Sequence, residues 1–455
     1  MTELRALALL AASLVSIAPS AVHAHALESL RDVAFHPTDA SALVVSYAEG
    51  GGGLLISRDH GRSFQLLCTS AITGRPESNA APPLVLLSGD GHLLVGTFRG
   101  LFRDDGHGCN FQRVPELADG YVWQLVNDPD DPAVVYALTA SGGGASNAAL
   151  RSRDNGASWS PISPPEPAFF QNLRIEKQAD GTRRMLLSVC KPATATTVEA
   201  CELRSSLDEG MTFSVLALPP ELSLTVLGTD VVNPMRLYAV GDGPVVVSAL
   251  ALFINDSAGA PSEWKTAAKL SELGTFLLPK EGGLWLADPS ERTLLHVLPG
   301  AAIGSRDVAG ASSFVRNPLT GEYLLARGFT MTQASASAAA EGPVVLDMNS
   351  VAQLVTCGPG NDVGRLCSEQ LVVGWCEVSH FPAAPFCAPL LAPAASDAAP
   401  APSAPVDAGL AAAPAEPSGC RVQPGDTGWP GSALLLVLAA LAVRPRARLA
   451  AIRGA

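Results

Sequence analysis

The chain is poor in charged and aromatic side chains, and several catalytic signatures are missing from it. Charged residues make up 16% and aromatic residues 5% of its 455 residues, and the formal net charge is −13. An acidic chain without a stripe of lysine and arginine is not expected to bind nucleic acid. No Gly-x-Ser-x-Gly, His-Glu-x-x-His or phosphate-binding glycine-rich motif occurs, so no hydrolase elbow, zincin helix or nucleotide loop is predicted. We therefore expect no cofactor.

Metal-binding patterns are missing as well. No Cys-x-x-Cys pair occurs, and the histidines are scattered along the chain without a partner at ligand spacing. Asp128, Asp130 and Asp131 lie beside prolines, where a solvated turn is a better interpretation than a calcium site. We predict no metal site.

One pattern, Ser-x-Asp-x-Gly-x-x-aromatic, recurs along the chain. Complete copies occupy residues 57–64, 152–159 and 206–213, and a worn copy at residues 104–111 keeps the glycine and the aromatic residue. The central positions 59, 106, 154 and 208 are 47, 48 and 54 residues apart. This period indicates one structural unit that is repeated. The residues that carry the pattern are Ser57, Asp59, Gly61, Phe64, Gly108, Phe111, Ser152, Asp154, Gly156, Trp159, Ser206, Asp208, Gly210 and Phe213.

Each copy has the chemistry of a tight turn between two strands. An aspartate accepts hydrogen bonds from backbone N–H groups that follow it, and glycine supplies a backbone conformation with positive φ. Apolar strands flank the first copy, so the unit is predicted to be a β-hairpin.

The motif resembles the Asp-box, or BNR repeat, of sialidases, sortilin-type receptors and other β-propellers. The resemblance implies that the boxes lie between the third and fourth strands of a blade, away from the ligand-binding face. It also implies that their carboxylates are structural.

A second repeat gives the number of blades. Strand, proline turn and strand recur around Pro37, Pro129, Pro234 and Pro318, with gaps of 92, 105 and 84 residues, each roughly two of the shorter periods. The chain is therefore predicted to be all-β, with seven four-stranded antiparallel blades between about Leu30 and Val355; six or eight blades are the alternatives. Intervening blades are predicted to begin near 84–87, 173–175 and 275–278, and a strand at 370–375 to help close the ring.

Four segments are predicted. Residues 1–26 have the basic flank, apolar core and small-residue cleavage site of a signal peptide. Residues 27–390 form the propeller, and the Ala/Pro-rich residues 391–417 form a disordered linker. Residues 418–455 hold Cys420, a short apolar run predicted to be helical, and several arginines.

That last segment resembles the myxobacterial C-terminal sorting tail, which implies processing of the tail and anchoring through Cys420. An ordinary single-span membrane anchor is the alternative. Either interpretation predicts an exported protein on the cell surface or outer membrane, or one secreted after processing, with membrane contact through the tail.

Eight other cysteines form an even set, which in an exported chain predicts disulfides. Cys190 and Cys201 flank one polar loop and are expected to pair. Cys68 and Cys109 are predicted to join the first two blades. The last four are predicted to pair among themselves in one of three ways: Cys357, Cys367, Cys376 and Cys387.

The resemblance raises the question of sialidase activity. That family needs three arginines, a tyrosine nucleophile paired with a glutamate, and an aspartate. The nearest string to its first arginine motif is residues 173–176, which lacks the proline, and four of the five tyrosines accompany the proline turns, where packing explains them.

We therefore predict a noncatalytic surface propeller that binds a protein, peptide or glycan. A secreted glycan hydrolase is the runner-up, and an assembly factor similar to the photosystem assembly propellers is a further alternative. Aromatic and arginine side chains on one face would favour binding, whereas clustered carboxylates with shifted pKa values would favour an enzyme.

Overall fold

Seven sheets, each built on four consecutive antiparallel strands, follow one another along the chain in the computed structural model, and the first sheet has a fifth, parallel strand. The structure describes residues 30–371 apart from residues 49–51, 76–82, 105–107, 119, 141–146, 164–165, 167, 178–180, 192–199, 217, 219–222, 243–249, 272, 289–292, 299–302, 308–310, 328–329, 335–340, 349–350, 352, 356 and 358–362. The predicted signal peptide, linker, sorting tail and Cys420 lie outside the described residues. No helix among the described residues is long and apolar enough to span a bilayer.

The strands of blades 1 to 4 are β1 (Leu30–Phe35), β2 (Leu43–Tyr47), β3 (Gly53–Ser57), β4 (Gln65–Cys68); β5 (Leu84–Leu87), β6 (Leu93–Thr97), β7 (Gly100–Arg103), β8 (Gln112–Arg113); β9 (Tyr121–Asn127), β10 (Val135–Ala140), β11 (Ala148–Ser152), β12 (Ser160–Pro161); and β13 (Phe169–Lys177), β14 (Arg183–Lys191), β15 (Ala200–Ser206), β16 (Ser214–Leu216).

The strands of blades 5 to 7 are β17 (Ser223–Thr229), β18 (Leu237–Asp242), β19 (Leu250–Asn255), β20 (Trp264–Lys269); β21 (Phe276–Leu277), β22 (Leu284–Asp288), β23 (Thr293–Val297), β24 (Ile303–Asp307); and β25 (Ala311–Arg316), β26 (Tyr323–Arg327), β27 (Thr330–Ala334), β28 (Glu341–Asp347). Short 3₁₀ helices occupy Pro115–Leu117 and Pro261–Glu263.

The blades close into a β-propeller around a central channel. The first strand of each blade is the inner one, and β1 packs against both β5 and β25, so blade 7 adjoins blade 1. Middle strands such as β2, β3 and β22 are buried along their whole length because a neighbouring blade covers each face. Outer strands such as β8 and β12 are short and exposed, and the edge position of β12 tolerates Pro161. The prediction of seven four-stranded blades is confirmed.

The ring closes through a segment that follows blade 7, here termed the clasp (residues 348–371). Its strand β29 (Gln353–Leu354) pairs in parallel with β4 at the outer edge of blade 1. Its helix α2 (Val363–Leu371) packs on helix α1 (Thr69–Thr73), where the Ser70 N–H donates to Gln370 Oε1 at 2.8 Å. Blades 1 and 7 are each built from consecutive strands, so the clasp, rather than a shared blade, joins the two ends of the described ring.

Two disulfides fasten the clasp, and they correct the predicted pairing. Cys68 is bonded to Cys367 and Cys109 to Cys357, with sequence separations of 299 and 248 residues. The predicted Cys68–Cys109 bond is wrong, and so is pairing of Cys357 and Cys367 within the last four cysteines, because the clasp carries both back to blades 1 and 2. Cys376 and Cys387 lie outside the described residues.

The third disulfide, Cys190–Cys201, joins β14 and β15 where the two cysteines are register partners, as expected. The strand predicted at 370–375 is wrong at residues 370 and 371, which end helix α2. That helix turns Val363, Cys367 and Gln370 inward, so the helical period places them against blade 1.

Candidate binding face

The strands of every blade end on one or the other of two opposite faces of the ring. Because the four strands of a blade run antiparallel in sequence, the turns between strands one and two and between strands three and four lie on the same face. This side is termed the corner face, and it carries all the Ser-x-Asp-x-Gly turns. The opposite side, termed the link face, carries the turns between strands two and three and the connections from blade to blade.

The complete copies of the motif share one set of hydrogen bonds. In the first, the Gly61 N–H donates to Ser57 Oγ and the Ser57 hydroxyl donates to Asp59 Oδ1, both at 2.9 Å. Asp59 also accepts the Ser63 N–H at 2.9 Å and the Ser63 hydroxyl at 2.6 Å. The same bonds recur in blades 3 and 4. The bond from the Ser63 hydroxyl lowers the pKa of Asp59 to about 2, so this carboxylate is ionised and used within the turn.

The worn copy in blade 2 keeps the geometry with other chemistry. Asp104 stands at the position of the serine, and its Oδ2 accepts the Gly108 N–H at 2.7 Å. Its Oδ1 accepts the N–H of Leu93, the first residue of the preceding strand β6, at 2.6 Å.

A fifth corner, which the sequence analysis missed, lies in blade 5. Asn255 Oδ1 accepts the N–H groups of Ser257 and Gly259 at 2.8 and 2.9 Å, and Gly259 has the positive φ of 93° that the turn requires. Asparagine replaces the serine, serine replaces the aspartate, and two additional residues precede Trp264. Only the glycine and the late tryptophan remained as sequence signals.

Arginines link successive corners. The Arg103 Nε–H of blade 2 donates to the Asn155 carbonyl of blade 3 at 3.1 Å, and the Arg151 Nη1–H of blade 3 donates to the Glu209 carbonyl of blade 4 at 3.3 Å. Asn155 and Glu209 have φ of 56° and 58°, so each is a left-handed residue directly before the glycine of its turn. The corner face is thus a hydrogen-bonded rim between blades, consistent with a structural role.

Asp154→Ala is expected to lower the free energy of unfolding by about 1–2 kcal/mol, as for other lost side-chain caps. The variant loses the bonds from the Ser158 N–H and hydroxyl and from the Ser152 hydroxyl. Urea denaturation measures the loss. Asp154→Asn keeps one acceptor oxygen, so its free energy of unfolding should lie between those of Asp154→Ala and the unmodified protein. A folded Asp154→Ala protein with strongly reduced ligand affinity would contradict the structural role.

The proline turns on the same face use their polar side chains internally. Asp128 Oδ1 accepts the N–H groups of Asp130 and Asp131 at 2.9 and 3.1 Å. Its Oδ2 receives the Tyr136 hydroxyl at 3.3 Å and Arg183 at 3.1 Å. The carboxylate of Asp128 therefore holds the turn.

Four tyrosines belong to the core. Tyr47, Tyr136, Tyr238 and Tyr323 are at most 5% exposed, and the Tyr238 hydroxyl donates to Asp230 at 2.6 Å. The packing explanation for these tyrosines is confirmed, and only Tyr121 remains on a face of the ring.

The link face presents a run of exposed and half-buried aromatic side chains, for which the sequence alone gave no signal. Phe98 lies in the turn between β6 and β7, and Tyr121 and Trp123 lie at the start of β9. The Phe98 and Tyr121 rings stack with centroids 4.6 Å apart, and Tyr121 meets Trp123 edge to face at 5.9 Å. Phe98 is 59% and Trp123 47% exposed. These three residues are termed the aromatic track.

Backbone contacts fix the inner end of the track. The Trp123 Nε1–H donates to the Gln171 carbonyl of blade 4 at 3.2 Å, which orients the indole across the boundary between two blades. Phe169, the first residue of the same strand β13, is itself 48% exposed. Exposed aromatic side chains thus lie on the link face of blades 2, 3 and 4.

A groove of about 570 Å³ adjoins the outer end of the track. Phe98, Arg99, Arg113 and Arg75 contribute to its wall, together with helix α1. Arg113 is fixed by donating to the carbonyls of Arg99 and Ala118. Aromatic and cationic side chains thus lie together on the link face.

Carboxylates of the inner strands are far apart in the ring. Among the described residues, the seven inner strands contribute Asp32 in blade 1 and Glu176 in blade 4. Burial raises the pKa of Asp32 to about 6, while both oxygens of Glu176 accept hydrogen bonds from Thr229. The described side chains also bring no three His, Cys, Asp or Glu residues together in a metal-ligating arrangement.

Comparison with solved structures places the chain among propellers. An ancestral GH74 enzyme aligns at 12% identity over 69% of this chain and 46% of its own, with a TM-score of 0.50. The Niastella koreensis GH74 enzyme aligns at 13% identity over 69% and 53%, with a TM-score of 0.46. YCF48 bound to D1 peptide aligns at 15% identity over 66% and 90%, with a TM-score of 0.41.

This chain spans about half the length of those GH74 structures. At these identities the likeness shows the fold alone. No protein-family model matches the sequence, and no curated protein does.

Proposed function

We propose that this protein is a noncatalytic binding propeller that takes a protein, peptide or glycan on its link face. The observation that carries the proposal is the aromatic track of Phe98, Tyr121 and Trp123. Large exposed aromatic side chains that adjoin one another mark interaction surfaces, because their burial on binding is strongly favourable. Propellers also hold such loops on a rigid frame.

The groove beside the track complements it chemically. Aromatic faces stack on apolar side chains and on the apolar faces of sugar rings, and arginine adds directional donors. Arg113 is held in place by two backbone carbonyls, which keep its planar side chain oriented before a ligand arrives. An extended ligand lying along the track would reach this groove.

A glycan hydrolase is less well supported. A glycosidase needs two carboxyl groups that flank the scissile bond. The inner-strand carboxylates Asp32 and Glu176 belong to blades three positions apart, and the tyrosines whose mutation would test a sialidase mechanism, Tyr238 and Tyr323, are packed in the core. The arrangement favours binding over turnover.

We further propose that the propeller belongs to the Asp-box superfamily and is exported and anchored by a myxobacterial-type sorting tail. Three disulfides support an oxidising compartment. Labelling of intact cells with a membrane-impermeant reagent tests the location, and an unlabelled protein would contradict it.

The binding proposal is tested with glycan and peptide arrays followed by calorimetry on the ligands found. Trp123→Ala is expected to weaken binding about 30-fold or more, which corresponds to about 2 kcal/mol for an aromatic anchor. Met211→Ala is the control, because Met211 is 80% exposed on the corner face and should leave affinity within about twofold. Equal affinity of Trp123→Ala and the unmodified protein, or turnover of fluorogenic glycosides, would contradict the proposal.

A further inference from the structure

Arg174 crosses the central channel. It belongs to β13, the inner strand of blade 4, and its guanidinium carbon lies 4.2 Å from the ring centroid of Phe276 in β21 of blade 6. Blade 5 stands between these two blades, so the contact runs across the channel rather than through a blade interface. This stacking holds the long side chain in one position.

The donors of Arg174 have no acceptor among the described residues. The side chain makes no hydrogen bond or ion pair there, and its Nε–H is buried without a partner. Burial lowers the pKa of Arg174 to about 10, so the group still carries its charge at pH 7. A buried donor without a partner is costly, and native structures rarely leave one unless a ligand or water completes it.

The surrounding charges do not balance. Glu176 lies two residues further along β13 and therefore on the same face of the strand, and Arg184 is its cross-strand partner on β14. Both Glu176 oxygens already accept hydrogen bonds from Thr229 of blade 5. Arg184 is only 9% exposed. Two largely buried guanidinium groups thus have one carboxylate close enough to act on both, which leaves an excess of positive charge in this part of the ring.

The shape of the Arg174 guanidinium indicates which chemical group would bind to its unpaired donors. Phe276 covers one face of the Arg174 guanidinium, and the donors along its edge, among them the buried Nε–H, have no partner among the described residues. A carboxylate fits such an edge with two parallel hydrogen bonds. We propose that Arg174 forms a carboxylate-binding site inside the central channel.

The position limits what can bind there. Arg174 lies three residues from the end of β13 at the corner face and five from its start at the link face. At ~3.3 Å per residue this places the site roughly 10 Å from one mouth and roughly 17 Å from the other. The carboxylate therefore belongs either to a small free acid or to the end of a thin extended chain. This site does not depend on the aromatic track.

Thermal unfolding of the full chain in different sodium salts at constant ionic strength tests the site. Acetate should raise the melting temperature above its value in chloride, because a ligand that binds only the folded state stabilises it. Calorimetry should show acetate affinity falling at least tenfold in Arg174→Met. Arg62→Met removes an equal charge from an exposed corner and should bind acetate within about twofold of the unmodified protein.

Two peptides of one sequence, with a free or an amidated C-terminus, distinguish the sources of the carboxylate. Acetate binding that depends on Arg174 supports a free acid, and binding of the free-terminus peptide alone supports a chain end. Equal effects of acetate, chloride and sulfate on the unmodified protein would overturn the proposal, and this comparison needs no variant. Unchanged acetate affinity in Arg174→Met, or in Arg174→Lys if the methionine variant does not fold, would overturn it as well, since lysine lacks the planar fork.

Discussion

Replacing Cys68 and Cys367 together with alanine is expected to lower the free energy of unfolding by about 4 kcal/mol, whereas replacing Cys190 and Cys201 should cost about 3 kcal/mol. With the Cys109–Cys357 bond in place, the first bond closes an additional loop of about 50 residues (68–109 and 357–367), whereas the second closes a loop with a sequence separation of 11. The longer loop removes more chain entropy from the unfolded state. Alanine suits the sites because Cys68 and Cys367 are fully buried.

The two double variants also differ in where they open the protein. The Cys68–Cys367 bond holds the clasp on blade 1, so its loss should free the boundary between blades 7 and 1. Hydrogen exchange should then accelerate first in β1, β25 and β26, which meet at that boundary. The Cys190–Cys201 bond lies within one blade, and its loss should affect only β14 and β15.

Guanidinium chloride denaturation of the two double variants measures the difference in stability, and the mild effect of Cys190 and Cys201 serves as the matched control. Equal losses for the two pairs, or exchange that stays slow in β1 and β25, would contradict closure of the ring by the clasp.

The repeated motif was enough to predict most of the fold because its residues interact with near neighbours in the sequence. Ser57, Asp59 and Gly61 make their hydrogen bonds within one short turn, so the turn can be predicted from the sequence alone. The spacing of such turns then gave the period of the blades. Where other residues build the same turn, as Asn255 does in blade 5, the local signal failed although the backbone is the same.

The long-range features left no comparable signal. Nothing in the spacing of Cys68 and Cys367 indicates that a helix after blade 7 returns to blade 1, because loop closure over that distance is nearly independent of sequence. Phe98 and Trp123 resemble ordinary strand residues until the ring places them beside Tyr121 on one face. Candidate binding residues thus depend on which loops the closed ring brings together.

Gly156→Ala is expected to lower the free energy of unfolding by about 3 kcal/mol, through two separable effects. Gly156 has a φ of 81°, and an alanine in that conformation costs about 1 kcal/mol or slightly more. A Cβ atom there would also lie 2.6 Å from Leu94 of blade 2, and overpacking of this kind costs about 1–3 kcal/mol. Leu94 is fully buried, so it has little room to move away.

Gly181→Ala separates the two effects because Gly181 has nearly the same φ, 84°, and no atom lies within 4 Å of its Cβ position. This control should lose only about 1 kcal/mol. Urea denaturation of both variants gives the difference, which measures how tightly the blade 3 corner packs on blade 2. Equal losses of stability in the two variants would mean that Gly156 is needed only for the conformation of the turn. A larger loss at Gly156 would mean that the glycine of the motif is also a contact between blades. The same role explains why the glycines at 61, 108 and 156 lie against the blade before their own.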